Sequence, residues 1–196
     1  MQEIVDLPLK FKPRDYQKAF FKAFLHDKIK NCFLVLPRRF GKDACMLNAL
    51  VIKMLERVGN YYYVFPEIGQ GRKAIWDAVN KEGENFLDCF PPELIRKKNQ
   101  TTMRLELTNG SSLQFVGASR YDYLVGSNPV GVVLSEYAIQ TPLLLQFLQP
   151  VLAQNEGWVL INTTPRGHNH AYKLYNKVKD DPRWFTMHLN CLEGFN

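Results

Sequence analysis

The stretch from Asn31 to Val58 constrains the fold more than any other part of the chain. A short apolar run, NCFLVLP, stops at Pro37, the polar hexapeptide RRFGKD follows, and an apolar-periodic segment of helical length runs from Ala44 to Val58. That order is strand, tight loop, helix. The same alternation continues downstream. Tyr61 to Phe65 reads as a strand stopped by Pro66, and Gly71 to Lys81 as a helix. The run TMRLELTNGSSLQFV (102–116) reads as a β-hairpin turning at Asn109-Gly110, a pair that tolerates the positive φ angles of a tight turn. Val130 to Leu134 is a buried strand, and Leu143 to Ala153 a helix expected to be interrupted near Pro150. Trp158 to Thr163 is a strand, His168 to Lys179 a helix, and Trp184 to Leu189 the closing strand. Central strands that are apolar throughout, alternating with helices, imply an α/β fold with a mainly parallel sheet covered on both faces.

Composition sets the limits on what else the chain can be. At 196 residues, with 46% hydrophobic and 13% aromatic content, it has material for one well-packed domain, which excludes disorder, collagen and coiled coil. The 25 Lys+Arg against 19 Asp+Glu permit contact with a polyanion without requiring it. Cys32, Cys45, Cys89 and Cys191 lack CxxC spacing, so they are expected as reduced thiols and not as a zinc site or disulfide framework. No apolar run approaches a membrane span, and the N-terminus lacks the uninterrupted apolar stretch of a signal peptide. We therefore expect a soluble, unexported protein.

Four blocks carry candidate chemistry. In Pro37-Arg38-Arg39-Phe40-Gly41-Lys42-Asp43, between buried strand and helix, Gly41 lets the backbone approach a phosphate, Lys42 supplies a point charge and the helix N-terminus adds oriented N–H donors. It is a degenerate phosphate loop, lacking the first glycine of GxxxxGK[ST], and the plain alternative is a tight turn with an exposed lysine. In GVVLSEYA (131–138) a buried strand ends in Glu136, where ligands bind in open α/β sheets; Glu136 could orient or deprotonate water, or be a solvated strand-end charge. In NTTPRG (162–167) the hydroxyls of Thr163 and Thr164, with Arg166, could sense a γ-phosphate; otherwise this is an ordinary Pro-Gly turn. In RDYQ (14–17) the Gln17 amide could read adenine while Tyr16 packs on a ring face.

Taken in this order, the blocks resemble the ATPase domain of phage terminase large subunits, the DNA-packaging motors of tailed phages. The resemblance covers nearly the whole chain. It implies a RecA-like P-loop core of the catalytic-glutamate type, one ATPase domain over residues 1–196, and a separate C-terminal nuclease domain that this length cannot hold, so a fragment of a longer chain is expected. It further implies ATP as substrate with Mg²⁺, and Gln17, with Tyr16, as the adenine contact. Arg38, Arg39, Phe40, Gly41, Lys42 and Asp43 would form the Walker A loop, Glu136 would be the catalytic glutamate, and Thr163 and Thr164 the coupling motif. Implied partners are double-stranded DNA, a portal protein, a small terminase subunit and further copies in a ring, without a membrane. The implied location is the host cytoplasm, docked transiently at the procapsid portal vertex.

Three positions depart from the family pattern. Asp43 stands where Walker A has Ser or Thr, Ser135 where Walker B has Asp, and Val125 where an arginine is frequent. The first two look like an exchange of carboxylate and hydroxyl that leaves the summed charge unchanged, so Asp43 and Ser135 are the expected metal ligands. For the third, Arg120 is the candidate substitute for an arginine finger supplied by a neighbouring subunit. Basic residues at Lys10, Lys12, Arg14, Lys18, Lys22 and Arg96 to Lys98 could contact DNA phosphates or simply be solvated. A helicase-like translocase, and a nucleotide-binding module with weakened hydrolysis, stand as alternatives.

Overall fold

The structure is a computed structural model that describes residues 10–80, 83–120, 124 and 126–190. Helix α1 (Asp15–Phe21), extended by a wider π turn (Lys22–His26), leads into β1 (Asn31–Val35). Next come α2 (Lys42–Glu56), β2 (Asn60–Phe65) and the short α3 (Ile68–Gly71), which widens over Arg72–Trp76. Strands β3 (Ile95–Asn99), β4 (Arg104–Leu107) and β5 (Ser112–Gly117) precede β6 (Pro129–Leu134). The chain then forms α4 (Leu143–Gln154), β7 (Trp158–Thr163), α5 (His170–Val178) and β8 (Trp184–His188).

All eight strands join one sheet in the order β3-β4-β5-β2-β6-β7-β1-β8. From β5 to β8 every neighbouring pair is parallel, and β4 runs antiparallel to both β5 and β3. The central strands bury both faces because successive side chains alternate between two cores. Cys32, Leu34, Tyr61, Tyr63, Trp158 and Leu160 pack with Phe20 of α1 and with Met46 and Leu50 of α2. Phe33, Val35, Tyr62, Val64, Val159 and Ile161 pack with Leu144 and Leu148 of α4 and with Ala171 of α5. The expected α/β class is what the chain adopts.

Several local expectations need correction. Pro150 does not interrupt α4: it lies on the exposed side, where water can satisfy the carbonyl it leaves without a partner, while Leu144, Leu145, Leu148 and Leu152 hold the helix to the sheet. The helix expected from Gly71 begins earlier, at Ile68, and its regular part gives way at once to the wide turn anchored by buried Ile75 and Trp76. Lys81, its expected end, is outside the described residues, as are Val125 and Cys191. Helix α2 starts at Lys42, so Lys42 and Asp43 belong to its first turn. The hairpin forms as expected between β4 and β5, but the basic triplet Arg96 to Lys98 lies on a third antiparallel strand, β3. Arg96 there meets Glu106 at 2.8 Å and Lys98 lies over the Trp76 ring, and such charges blunt a sheet edge against further pairing.

Gly131 on β6 lets the sheet close against its tightest neighbour. A Cβ there would stand 2.3 Å from Trp158 Cζ2 and 2.7 Å from Tyr61 Cδ1. The indole cannot retreat, because it is wedged between Phe24 and Tyr61. Gly131→Ala should therefore lower stability by about 1–3 kcal/mol, read as a fall in the urea midpoint. An unchanged midpoint would contradict this packing.

Candidate functional site

Three adjacent strands deliver the site. In the sheet β6, β7 and β1 are neighbours and parallel, so their carboxyl ends open on one edge. From them come Ser135-Glu136, Thr163-Thr164 and the loop Pro37 to Gly41. The loop turns sharply into α2: Arg39 (φ 66°) and Gly41 (φ 68°) both take left-handed backbone, and Gly41 is the N-cap residue of the helix. A Cβ at Gly41 would also come within 3.2 Å of Gln17 Nε2. Arg38 and Arg39 point to solvent, whereas Phe40 is buried.

At the centre, Lys42 Nζ lies 2.8 Å from Glu136 Oε1, with side chains 8% and 26% exposed. Thr164 completes a triangle: its hydroxyl accepts from Lys42 Nζ at 3.2 Å and donates to Glu136 Oε1 at 3.0 Å, and its N–H donates to Glu136 Oε2 at 3.2 Å. Burial by itself would raise the Glu136 pKa, but the bond and charge of Lys42 and the two Thr164 donors outweigh it and hold the carboxyl below its ordinary range. Glu136 also carries left-handed backbone (φ 54°), a strained conformation held because its N–H donates to Asn162 Oδ1 at 3.2 Å.

Behind this triangle stands Asp43. Its Oδ1 accepts from Ser135 Oγ at 2.7 Å, Tyr63 Oη at 2.8 Å and Asn162 Nδ2 at 2.9 Å. Burial, with the adjacent Asp43 charge, pushes the Tyr63 phenol far up, so it remains a donor. The carboxylate on the helix and the hydroxyl on the strand are thus direct partners, as a paired exchange requires. The donor set suits a hard cation that brings its own phosphate and water ligands: one carboxylate, whose Oδ2 takes none of these bonds, beside hydroxyl oxygens. Among the described residues there is no cluster of three or more His, Cys, Asp or Glu that would cage a metal without a substrate.

The remaining expected residues are placed differently. Gln17 is only 2% exposed; its Oε1 accepts from the Arg14 N–H at 3.0 Å and its Nε2 donates to the Phe40 carbonyl at 3.1 Å. Tyr16 Oη donates to the same carbonyl at 2.8 Å and receives from Arg14 Nη1 at 2.9 Å. Gln17 and Tyr16, the residues expected at the adenine, together brace the loop through the Phe40 carbonyl, and the Gln17 side chain also caps its own helix. Thr163 is buried and supports the Glu136 turn by accepting from the Ala138 N–H at 3.1 Å. Arg120 follows β5, two positions in the sheet from the β6 strand that carries Glu136, about 10 Å at ~4.8 Å per strand, and lines a separate cavity with Glu67, Arg72 and Gln114. Sequence reasoning missed two residues. Tyr63 and Asn162 sit inside apolar strand runs, and only their polar atoms at the site-facing strand ends could have singled them out.

No family model matches the chain. The terminase large subunit of Thermus virus P23-45 is 22% identical over 181 residues, covering 85% of this chain and 36% of that protein. The Thermus phage P74-26 large terminase ATPase domain superposes with a TM-score of 0.74 at 21% identity, over 95% of this chain and 84% of that one. This is the fold of a phage large terminase ATPase domain. The large terminase of bacteriophage D6E, solved in complex with ADP, gives a TM-score of 0.70 at 16% identity, over 90% of this chain and 45% of that one. The terminase-like RecA core expected from the sequence is thus observed, in a chain spanning about a third of the curated relative it matches.

Two outcomes follow from the site. Asp43→Thr alone leaves Tyr63, Ser135 and Asn162 without their shared acceptor, and should lower nucleotide turnover at least tenfold; adding Ser135→Asp should restore most of it. Losses that merely add in the double variant would refute the paired exchange. Because the Glu136 pKa is depressed on folding, its pairing stabilises the fold at neutral pH and is lost as pH falls through the lowered value, beneath the ordinary glutamate range. Acid unfolding of the native chain should therefore be steeper there than that of Glu136→Gln, compared by circular dichroism. Superimposable acid limbs would contradict the pairing.

Proposed function

We propose that this chain is the ATP-hydrolysing motor domain of a machine that drives double-stranded viral DNA into a procapsid. The observation that carries the reading is the contact of Lys42, in the first turn after a phosphate-type loop, with Glu136 at the neighbouring strand end. A phosphate arriving at the α2 N-terminus would draw Lys42 toward its oxygens. Glu136, released from Lys42, would then be free to position water for in-line attack, and Thr164, bonded to both, would register the exchange. Arg38, exposed on the loop, would add charge at the phosphates. Mg²⁺, held beside Asp43 and Ser135, would supply charge neutralisation when bound with ATP. Arg120, after β5 at the same sheet edge, would act as an arginine finger in a neighbouring subunit's site, so activity would depend on copies assembled in a ring.

The partners this implies are double-stranded DNA, a portal protein and a small terminase subunit, and the place of action is the host cytoplasm at the portal vertex. No helix among the described residues is long and apolar enough to cross a membrane. One observation favours a second reading, a nucleotide-binding module with weakened hydrolysis: Asp43 Oδ1 is already engaged by three donors. A magnesium-dependent ATPase assay separates the two. Glu136→Gln should lose at least about 100-fold in turnover while still binding ATP. Turnover retained in that variant would overturn the role of Glu136, and binding without turnover in the native chain would favour the second reading.

A further inference from the structure

Strand β6 ends beside Pro66, and that proline leaves one carbonyl of the site without its ordinary partner. Where β6 runs parallel to β2, Leu134 lies opposite Val64 and the Ser135 N–H donates to the Val64 carbonyl at 2.9 Å. The next rung of a parallel ladder would carry the N–H of residue 66 to the Ser135 carbonyl. Proline has no N–H to give, so the ladder stops one residue before Glu136.

Gln140 takes the place of that donor. It is 5% exposed, and its Nε2 donates to the Ser135 carbonyl at 2.6 Å and to the Val64 carbonyl at 3.1 Å. Both neighbours can only accept, which fixes the amide orientation. Its Oε1 is buried without a hydrogen-bond partner, an unfavourable placement, so the donor is what this amide contributes.

The peptide group joining Ser135 to Glu136 is thereby gripped at both ends: Gln140 holds its carbonyl, and its N–H donates to Asn162 Oδ1 at 3.2 Å. On the far side, the Glu136 carbonyl accepts from the Ile139 N–H at 3.0 Å. With the planes on both sides fixed, Glu136 is held at φ 54° and ψ 46°, left-handed backbone that a glutamate rarely adopts. Side-chain direction follows from these angles, and here it brings the carboxylate to Lys42 and Thr164.

Resting on the role of Glu136 given above, we propose that Gln140 is a positioning residue for the hydrolysis. It supplies the donor that Pro66 cannot, locks the peptide before Glu136 and keeps the carboxylate aimed at the attacking water. It acts through Glu136 and not on the nucleotide.

Gln140→Met removes the donor at nearly constant length. Turnover should fall about tenfold, since a left-handed residue no longer held relaxes to ordinary backbone, while the Kd for ATP, by isothermal titration calorimetry, stays within about twofold. Native turnover in folded Gln140→Met would overturn the proposal. Adding Pro66→Ala returns a backbone N–H and should recover most of the loss, whether of turnover or of folding; a loss it leaves unchanged would also overturn the proposal. A second readout needs no nucleotide. Left-handed backbone favours glycine, so Glu136→Gly should have a higher urea midpoint than Glu136→Ala while Gln140 is present, and the gap should close in the Gln140→Met background. An undiminished gap would mean that Gln140 does not hold the turn. Absence of turnover in the native chain, with the gap behaving as expected, would overturn the hydrolytic reading and leave the hold of Gln140 on the turn.

Discussion

The contact between Lys42 and Glu136 is the interaction around which the rest of the structure is arranged. A cation 8% exposed and a carboxylate 26% exposed are tolerated at a sheet edge only because each compensates the other and Thr164 bonds to both. Bringing them together requires three consecutive strand ends in one plane, which the order β6-β7-β1 supplies. It also requires two departures from ordinary backbone, at Arg39 and at Glu136, the second held by the bond of its N–H to Asn162. The strain is local and lies where a ligand would be expected to act.

Asp43 links this contact to the core. Through a single oxygen it joins α2 to β2, β6 and β7, by way of Tyr63, Ser135 and Asn162. Asn162 also accepts from the Glu136 N–H, so the turn that carries the carboxylate is tied to the helix that carries the lysine. Gln140 extends the brace, donating to the carbonyls of Val64 and Ser135 at 3.1 and 2.6 Å. A change in the charge near Lys42 would therefore be felt at the ends of several strands, a physical route by which a chemical event at the edge could move the domain.

Much of this was legible in the sequence, for reasons that can be stated. Apolar runs ended by Pro37 and Pro66, and the Asn109-Gly110 turn, are local signals, so the central strands and the hairpin fall where expected. RRFGKD and the Glu136 strand end were legible because chemistry there follows directly from position in a strand, loop and helix series. Less legible were features set by tertiary contacts. IRKKN (95–99) shows no alternation, because a charged edge strand needs none. Pro150 survives inside α4 because its free carbonyl partner can face water. Gln17 turns inward because it caps its own helix and reaches Phe40, a choice between two directions that composition does not encode. Tyr63 and Asn162 read as core residues until the fold sets their polar ends beside Asp43.

The account is tested most directly by a crystal structure of the chain with a non-hydrolysable ATP analogue and Mg²⁺. The expected result has Lys42 Nζ withdrawn from Glu136 Oε1 onto phosphate oxygens at the α2 N-terminus, with the Glu136 carboxylate facing the γ-phosphate and Asp43 still bonded to Ser135. Phosphates bound elsewhere on the sheet edge, with Lys42 still paired to Glu136, would contradict it.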